Sequence, residues 1–98
     1  MNISIEKDNG KTVMKIDGRL DTTTAPELEK AINSEGEALE NLVLDFKGVN
    51  YISSAGLRVL LGAQKKMNAQ GYMELINVNE DVMDIFEMTG FADILTIK

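Results

Sequence analysis

The 98-residue chain contains no cysteine and no histidine. The first absence removes disulfides, thiolate metal sites and cysteine nucleophiles together, and it is compatible with a reducing cytoplasm. The second removes the commonest general base, the commonest metal ligand and the only side chain that titrates near neutrality. Ordinary hydrolase and zinc mechanisms lose their usual parts, so neither an enzyme nor a metal or cofactor site is expected. Carboxylates, hydroxyls and lysines are what remain for chemistry. No stretch approaches the ~20 consecutive apolar residues of a membrane span. The N-terminus lacks a basic start followed by an apolar run, so no signal peptide and no membrane partner are expected.

Positive charge is also in short supply: ten Lys and Arg face sixteen Asp and Glu, a net charge of −6. A field of that sign repels phosphate backbones, which argues against direct nucleic-acid contact. It suits an electropositive protein partner, and it equally suits plain solubility. At 44% apolar residues the chain can build one compact core, and its length predicts one domain over residues 1–98. A domain this short buries only about two-thirds of its unfolded surface, which leaves no room for a large internal substrate cavity.

Residues 3–7 and 12–17 each alternate apolar and polar. Between them Asn9-Gly10 supplies the positive φ angles of a tight turn, which predicts an antiparallel hairpin broken at Gly18. A helix is expected from Thr24 as cap, with Glu27 completing a capping box, Pro26 in the first turn, and an end near Ser34 to Gly36. The run Leu42-Val43-Leu44 reads as a strand covered on both faces, ending at Asp45 or Phe46. From Ala55 to Gln70 the apolar spacing predicts a helix with its polar face at Gln64, Lys65, Lys66 and Asn68, closed by Gly71. Residues 72–76 follow as a strand, Asp81 to Met88 as a short helix before Gly90, and residues 94–97 as a small edge strand. The fold class is α/β: a mixed sheet of four or five strands, an N-terminal hairpin followed by parallel strands, with three or more helices and right-handed crossovers.

The segment 42–62, LVLDFKGVNYISSAGLRVLLG, concentrates the functional signal. It sets Ser53-Ser54-Ala55-Gly56 at the mouth of a long helix, beyond the carboxyl end of a buried strand, where sites in open α/β sheets gather. The first turn of a helix leaves several N–H groups unpartnered and carries about half a positive charge, so a phosphoryl group there is tolerated. A serine at a helix start is also a common plain N-cap. Gly56, lacking a side chain, would let another backbone come close to the serine.

The run YISSAGLRVLLGAQKKM resembles the signature of STAS domains in bacterial anti-sigma factor antagonists. Gly18-Arg19-Leu20-Asp21 followed by Thr24 is similar to that family's Gly-x-Leu-Asp loop, and FEMTGFADIL at 86–95 to its C-terminal helix and Met-Ser/Thr-Gly turn. The resemblance implies a STAS fold and a phosphorylated serine two positions before the Gly of the Gly-Leu pair, here Ser54. Many members carry Asp immediately before that serine. This chain has Ser53, so Ser53 is the alternative site. The resemblance further implies a cytoplasmic partner-switching protein in transcription regulation. Unphosphorylated, it would bind an anti-sigma factor that doubles as a serine kinase and so release a sigma factor. Phosphorylation would eject it, and a serine phosphatase would reset it. The partner-binding surface would comprise Asp21, Thr22, Thr23, Ser53, Ser54, Ala55, Gly56, Leu57 and Arg58. Asp21 also has a plain reading as a turn residue bonding nearby backbone. Within the same fold the alternative is an interaction module of another partner-switching, lipid-trafficking or stress-signalling complex.

Other classes fit less well. A receiver domain would share Asp45 at a strand end but needs an acidic pair after its first strand. A serine hydrolase needs a GxSxG elbow and a base, and both are missing. The methionines, Phe86 and Phe91 read as core rather than as an adaptable binding face.

Overall fold

The computed structural model describes residues 1–98. Strands β1 (Asn2–Asp8) and β2 (Lys11–Leu20) form the expected antiparallel hairpin, in unbroken register from Asn2 opposite Asp17 to Asp8 opposite Lys11. Asn9 at φ 50° and Gly10 at φ 81° make the turn, the pair of positive φ angles that a two-residue hairpin loop demands. Helix α1 (Ala25–Ser34) leads through a short 3-10 turn at Gly36–Ala38 to β3 (Asn41–Ile52). Helix α2 (Ser54–Gln70), β4 (Tyr72–Ile76) and α3 (Glu80–Thr89) follow, with a second 3-10 turn at Phe91–Asp93. The strands lie in the order β1-β2-β3-β4, and the β2–β3 and β3–β4 pairs are parallel. This is a four-stranded mixed sheet with three helices, the expected α/β architecture.

Alternation along β2 explains how the layers form. Met14, Ile16 and Leu20 are buried, while Lys15, Asp17 and Arg19 between them are exposed. The first set joins Leu28 and Ile32 of α1, Leu57, Leu60 and Met67 of α2, and Val82 and Phe86 of α3 in one core cluster. All three helices therefore cover one side of the sheet. Phe46 of β3 meets Phe86 of α3 with ring centroids 6.4 Å apart, a tilted contact. Each ring contributes about 1.5–3 kcal/mol by leaving water.

Several expectations need correction. The second strand does not stop at Gly18 but runs on to Leu20, absorbing the glycine through a register shift against β3. β3 likewise extends past Phe46 to Ile52, because its parallel pairing with β2 continues to Leu20 opposite Ile52. Leu42, Val43 and Leu44 are all buried, yet Val43 stands outside the core cluster, in register between Val13 and Glu74 on the helix-free side. Helices thus cover β3 on one face only. The expected edge strand at 94–97 reduces to a single parallel bridge between Ile97 and Leu75. Gln64, assigned to the polar face of α2, is buried and bonds Asn68 Oδ1 through Nε2 at 2.9 Å.

Candidate functional site

The site forms where β2 and β3 end side by side. Their parallel register sets Arg19 opposite Tyr51 and Leu20 opposite Ile52, so the residues after both strands emerge at one edge. A backbone bond from Ser53 N–H to Leu20 O, 2.9 Å, ties the two segments together. Asp21, Thr22 and Thr23 from one segment and Ser53, Ser54 and Ala55 from the other therefore share one rim.

The segment after β2 is held by Asp21 and Thr24. Asp21 Oδ1 accepts from Thr23 N–H at 3.0 Å and from Thr24 N–H at 3.1 Å, an Asx-type turn. The Thr24 hydroxyl accepts from Asp21 N–H at 2.9 Å and lies 2.6 Å from Arg19 O and 3.2 Å from Asp21 Oδ1. A hydroxyl has one proton, and the shorter distance assigns it to Arg19 O. Thr24 therefore braces the loop and makes no side-chain cap for α1, contrary to the capping-box expectation. The Thr24 N–H bond foremost, outweighing the desolvation that opposes it, with help from the Thr23 N–H and the Arg19 charge, holds the Asp21 carboxyl below its ordinary pKa.

The start of α2 has a different construction. Ser53 occupies the N-cap position with extended backbone, φ −101° and ψ 177°, but its side chain makes no capping bond. Its Oγ is shut off from solvent and has no hydrogen-bond partner. Ser54 is the first residue of the helix and is exposed, as is Arg58 one turn further on. No acidic side chain occupies this first turn.

Gly56 and Leu57 are buried beneath this surface rather than on it. A Cβ on Gly56 would lie 2.8 Å from Ile52 Cγ1, 2.8 Å from Leu20 Cγ and 3.0 Å from Leu20 O. The close approach that the glycine permits is thus made by the chain's own β2 and β3 ends, not by a partner's loop. Ala55 is half-buried, and with Thr22, Pro26 and Arg58 it lines a shallow depression of about 350 Å³ between the starts of α1 and α2.

Two residues outside the sequence-based set belong to the same rim. The Arg19 guanidinium lies 4.1 Å from the ring centroid of Tyr51, which is 38% exposed, so a cation stacks on an aromatic face. Arg19 Nε also lies 3.6 Å from Asp21 Oδ2. Tyr51 opens the run that carries Ser54, and Arg19 lies in the Gly18-Arg19-Leu20-Asp21 loop. The β2–β3 register sets the two opposite each other, a pairing that neither motif read alone supplies.

Nowhere do three or more Asp or Glu side chains gather as a metal ion would require. No helix is long and apolar enough to cross a membrane.

A family model for the STAS domain matches residues 2–98. The anti-sigma-B factor antagonist of Listeria monocytogenes is 35% identical over 104 residues, spanning 100% of this chain and 90% of that protein. The anti-sigma-B factor antagonist of Bacillus subtilis is 30% identical over 99 residues, spanning 100% and 91%. Among solved structures, the anti-sigma factor antagonist SpoIIAA in its unphosphorylated form aligns with a TM-score of 0.77 at 18% identity, over 99% of this chain and 87% of the other. SpoIIAA of Bacillus in its phosphorylated form aligns at 0.76 and 18%, over 99% and 91%. At that identity the structural likeness shows the fold, and the sequence relatives show the family. The chain belongs to the STAS domain family, among the anti-sigma factor antagonists.

Proposed function

We propose that this protein is a cytoplasmic anti-sigma factor antagonist, a single domain that binds an anti-sigma factor when Ser54 is unmodified and is ejected when Ser54 is phosphorylated. The observation that carries the reading is the contrast between the two serines: the Ser54 side chain is exposed on the rim, whereas the Ser53 hydroxyl is closed off from solvent. A kinase needs an accessible acceptor, which favours Ser54. The partner surface comprises Asp21, Thr22, Thr23, Ser53, Ser54, Ala55 and Arg58, extended by Arg19 and Tyr51. Gly56 and Leu57 act by holding that surface in place.

The switch follows from charge. Phosphorylation adds about −1.5 to −2 charges at neutral pH. Within this domain the uncapped first turn of α2 offers N–H groups and the positive end of a dipole, so the fold tolerates the new group. A partner packed against Ser54 has to accommodate its bulk and strip its water, and loses affinity. The protein is then ligand and substrate of its kinase, with a serine phosphatase reversing the step, and it performs no chemistry itself. The relatives named anti-sigma-B factor antagonist and a SpoIIAA structure in a phosphorylated form support this reading.

The test is intact-mass spectrometry with site mapping on protein from its native cells, beside Ser54→Ala and Ser53→Ala versions. One phosphoryl group lost only in Ser54→Ala is the expected result. Loss only in Ser53→Ala moves the site by one residue, and no phosphoryl group under any growth condition overturns the switch.

A further inference from the structure

The outer face of α2 carries Ser54 and, four residues on, Arg58, both open to solvent. Residues four apart in a helix stand one above the other, with Cβ atoms about 5–6 Å apart. Every Cα–Cβ bond in a helix tilts toward the N-terminus, so a long side chain at position 58 leans back over the turn that holds Ser54. The two arginines of the rim differ in what they already hold. Arg19 is engaged, with its guanidinium 4.1 Å from the Tyr51 ring centroid and its Nε 3.6 Å from Asp21 Oδ2. Arg58 is free. The chain's ion pairs are Lys7–Glu35, Lys15–Glu6 and Arg19–Asp21, and Glu29, which lines the same depression as Arg58, makes none with it. An exposed guanidinium without an acidic partner thus stands one turn above the proposed phosphorylation site.

We propose that Arg58 is the internal receptor of a phosphoryl group on Ser54. This rests on Ser54 being the modified residue. A guanidinium is planar and presents paired N–H donors, which match two phosphate oxygens in a bidentate contact. An anion placed N-terminal to a cation at this spacing is also the favourable order along a helix. The contact changes what the switch does to the partner surface. Free, Arg58 is a cation that a carboxylate on the partner can pair with. Once Ser54 carries about −1.5 to −2 charges, the guanidinium turns to that group and is withdrawn. Phosphorylation therefore removes an attraction from the rim as well as adding a repulsion to it.

Phosphoserine placed at position 54 during synthesis of the whole chain, by suppression of a stop codon, tests this without any kinase. The phosphorus NMR resonance is followed as pH rises through the second ionisation, at about 6. A guanidinium in contact favours the dianion, so the natural chain should hold its second proton at least about threefold less tightly than Arg58→Gln. Arg58→Lys should recover part of the difference, since it restores the charge but not the paired donors. Lys65→Gln removes the same charge from the same exposed face, about 16 Å along the axis, and should leave proton binding unchanged. The other charged groups nearby, Arg19 and Asp21 from the β2 segment and Glu29 from α1, stay in place throughout the series. Equal proton affinities in the natural chain and Arg58→Gln overturn the proposal. So does an effect of Lys65→Gln as large as that of Arg58→Gln, which would mean a general field and no contact. Absence of phosphate from Ser54 in native cells is a separate failure: it overturns the switch on which this contact depends, whatever the titration shows.

Discussion

The chain starts two of its helices in opposite ways. At α3, Asn79 Oδ1 accepts from Val82 N–H at 2.9 Å, and Glu80 and Asp81 supply negative charge to the first turn. This start is capped: one orphan donor has a side-chain partner and the dipole is opposed. At α2, the cap residue Ser53 makes no side-chain bond and no carboxylate occupies the first turn. The same chain thus has the means to finish a helix start and uses them at α3 but not at α2. An unopposed positive pole beside an exposed hydroxyl is an acceptor for an added anion. The α3 start is where an anion would meet two carboxylates instead.

The largest effect expected from this difference is on partner binding. Phosphorylated Ser54, or Ser54→Glu as a weaker mimic, should lower affinity for the purified anti-sigma factor by over a hundredfold, about 3–4 kcal/mol, in a calorimetric titration. The domain itself should melt no lower, since the added charge favours the α2 dipole by up to about 1 kcal/mol. Phosphorylation that lowers the melting temperature by several degrees breaks the comparison, because the α2 start would then not be an anion acceptor. Next in size is Gly56→Ala. Its methyl group would stand 2.8 Å from Ile52 Cγ1 and Leu20 Cγ. We expect a loss of about 1–3 kcal/mol in urea unfolding, the usual cost of overpacking. Partner binding should fall with it, because the first turn of α2 is displaced. Unchanged stability would mean that the two strand ends yield easily, and that the rim is not held from beneath.

The caps themselves can be compared directly. Asn79→Ala should cost about 1 kcal/mol, while Ser53→Ala should be nearly neutral, since its hydroxyl makes no bond to lose. Equal losses at the two sites would remove the distinction between the helix starts. Ser53→Asp introduces the residue that many family members carry and should add up to about 1 kcal/mol by capping α2. If the α2 start is the anion acceptor, phosphorylation of Ser54 in that variant should then give less stabilisation than in the natural chain.

Most of the fold was legible because its signals are local. Asn9-Gly10 specifies the hairpin turn, and the spacing of Leu57, Leu60 and Met67 specifies the buried face of α2. The ends of β2 and β3 were not legible. Gly18 and the Lys47-Gly48 pair look like breaks when each strand is read alone. The parallel pairing of two strands far apart in sequence carries both through, with shifts in register to absorb the irregularity. The same pairing explains why Arg19 and Tyr51 went unnoticed as part of the rim. Ser53 was a reasonable cap by residue type, but whether its hydroxyl reaches an N–H depends on its rotamer and on packing against the Leu20 segment. Thr24 is held away from α1 by Asp21 N–H, which donates to its oxygen, and by Arg19 O, which takes its proton, partners that only the loop's geometry supplies. Gly56 was singled out correctly as a point of close approach, though the approaching backbone belongs to the chain itself.

The smallest effect expected concerns the other half of the rim, where charge is already satisfied. Asp21 accepts from the Thr24 and Thr23 N–H groups and has Arg19 nearby, and its pKa is lowered by these contacts, the Thr24 bond foremost. A carboxyl whose folded pKa lies below its unfolded one contributes stability that is complete above the unfolded value, about 3.9. That contribution declines as pH falls through this value and is gone below the depressed folded one. Asp21→Asn keeps a carbonyl oxygen for the turn but removes the titration. Unfolding free energies of the two proteins should therefore differ by a constant amount from pH 7 down to about 5 and converge as the solution is acidified further. A gap that stays constant down to pH 2 would show that the carboxylate's charge contributes nothing to the loop. In that case the rim would be neutral scaffolding on both sides, and the contrast between the braced Asp21 turn and the bare α2 start would rest on hydrogen bonds alone.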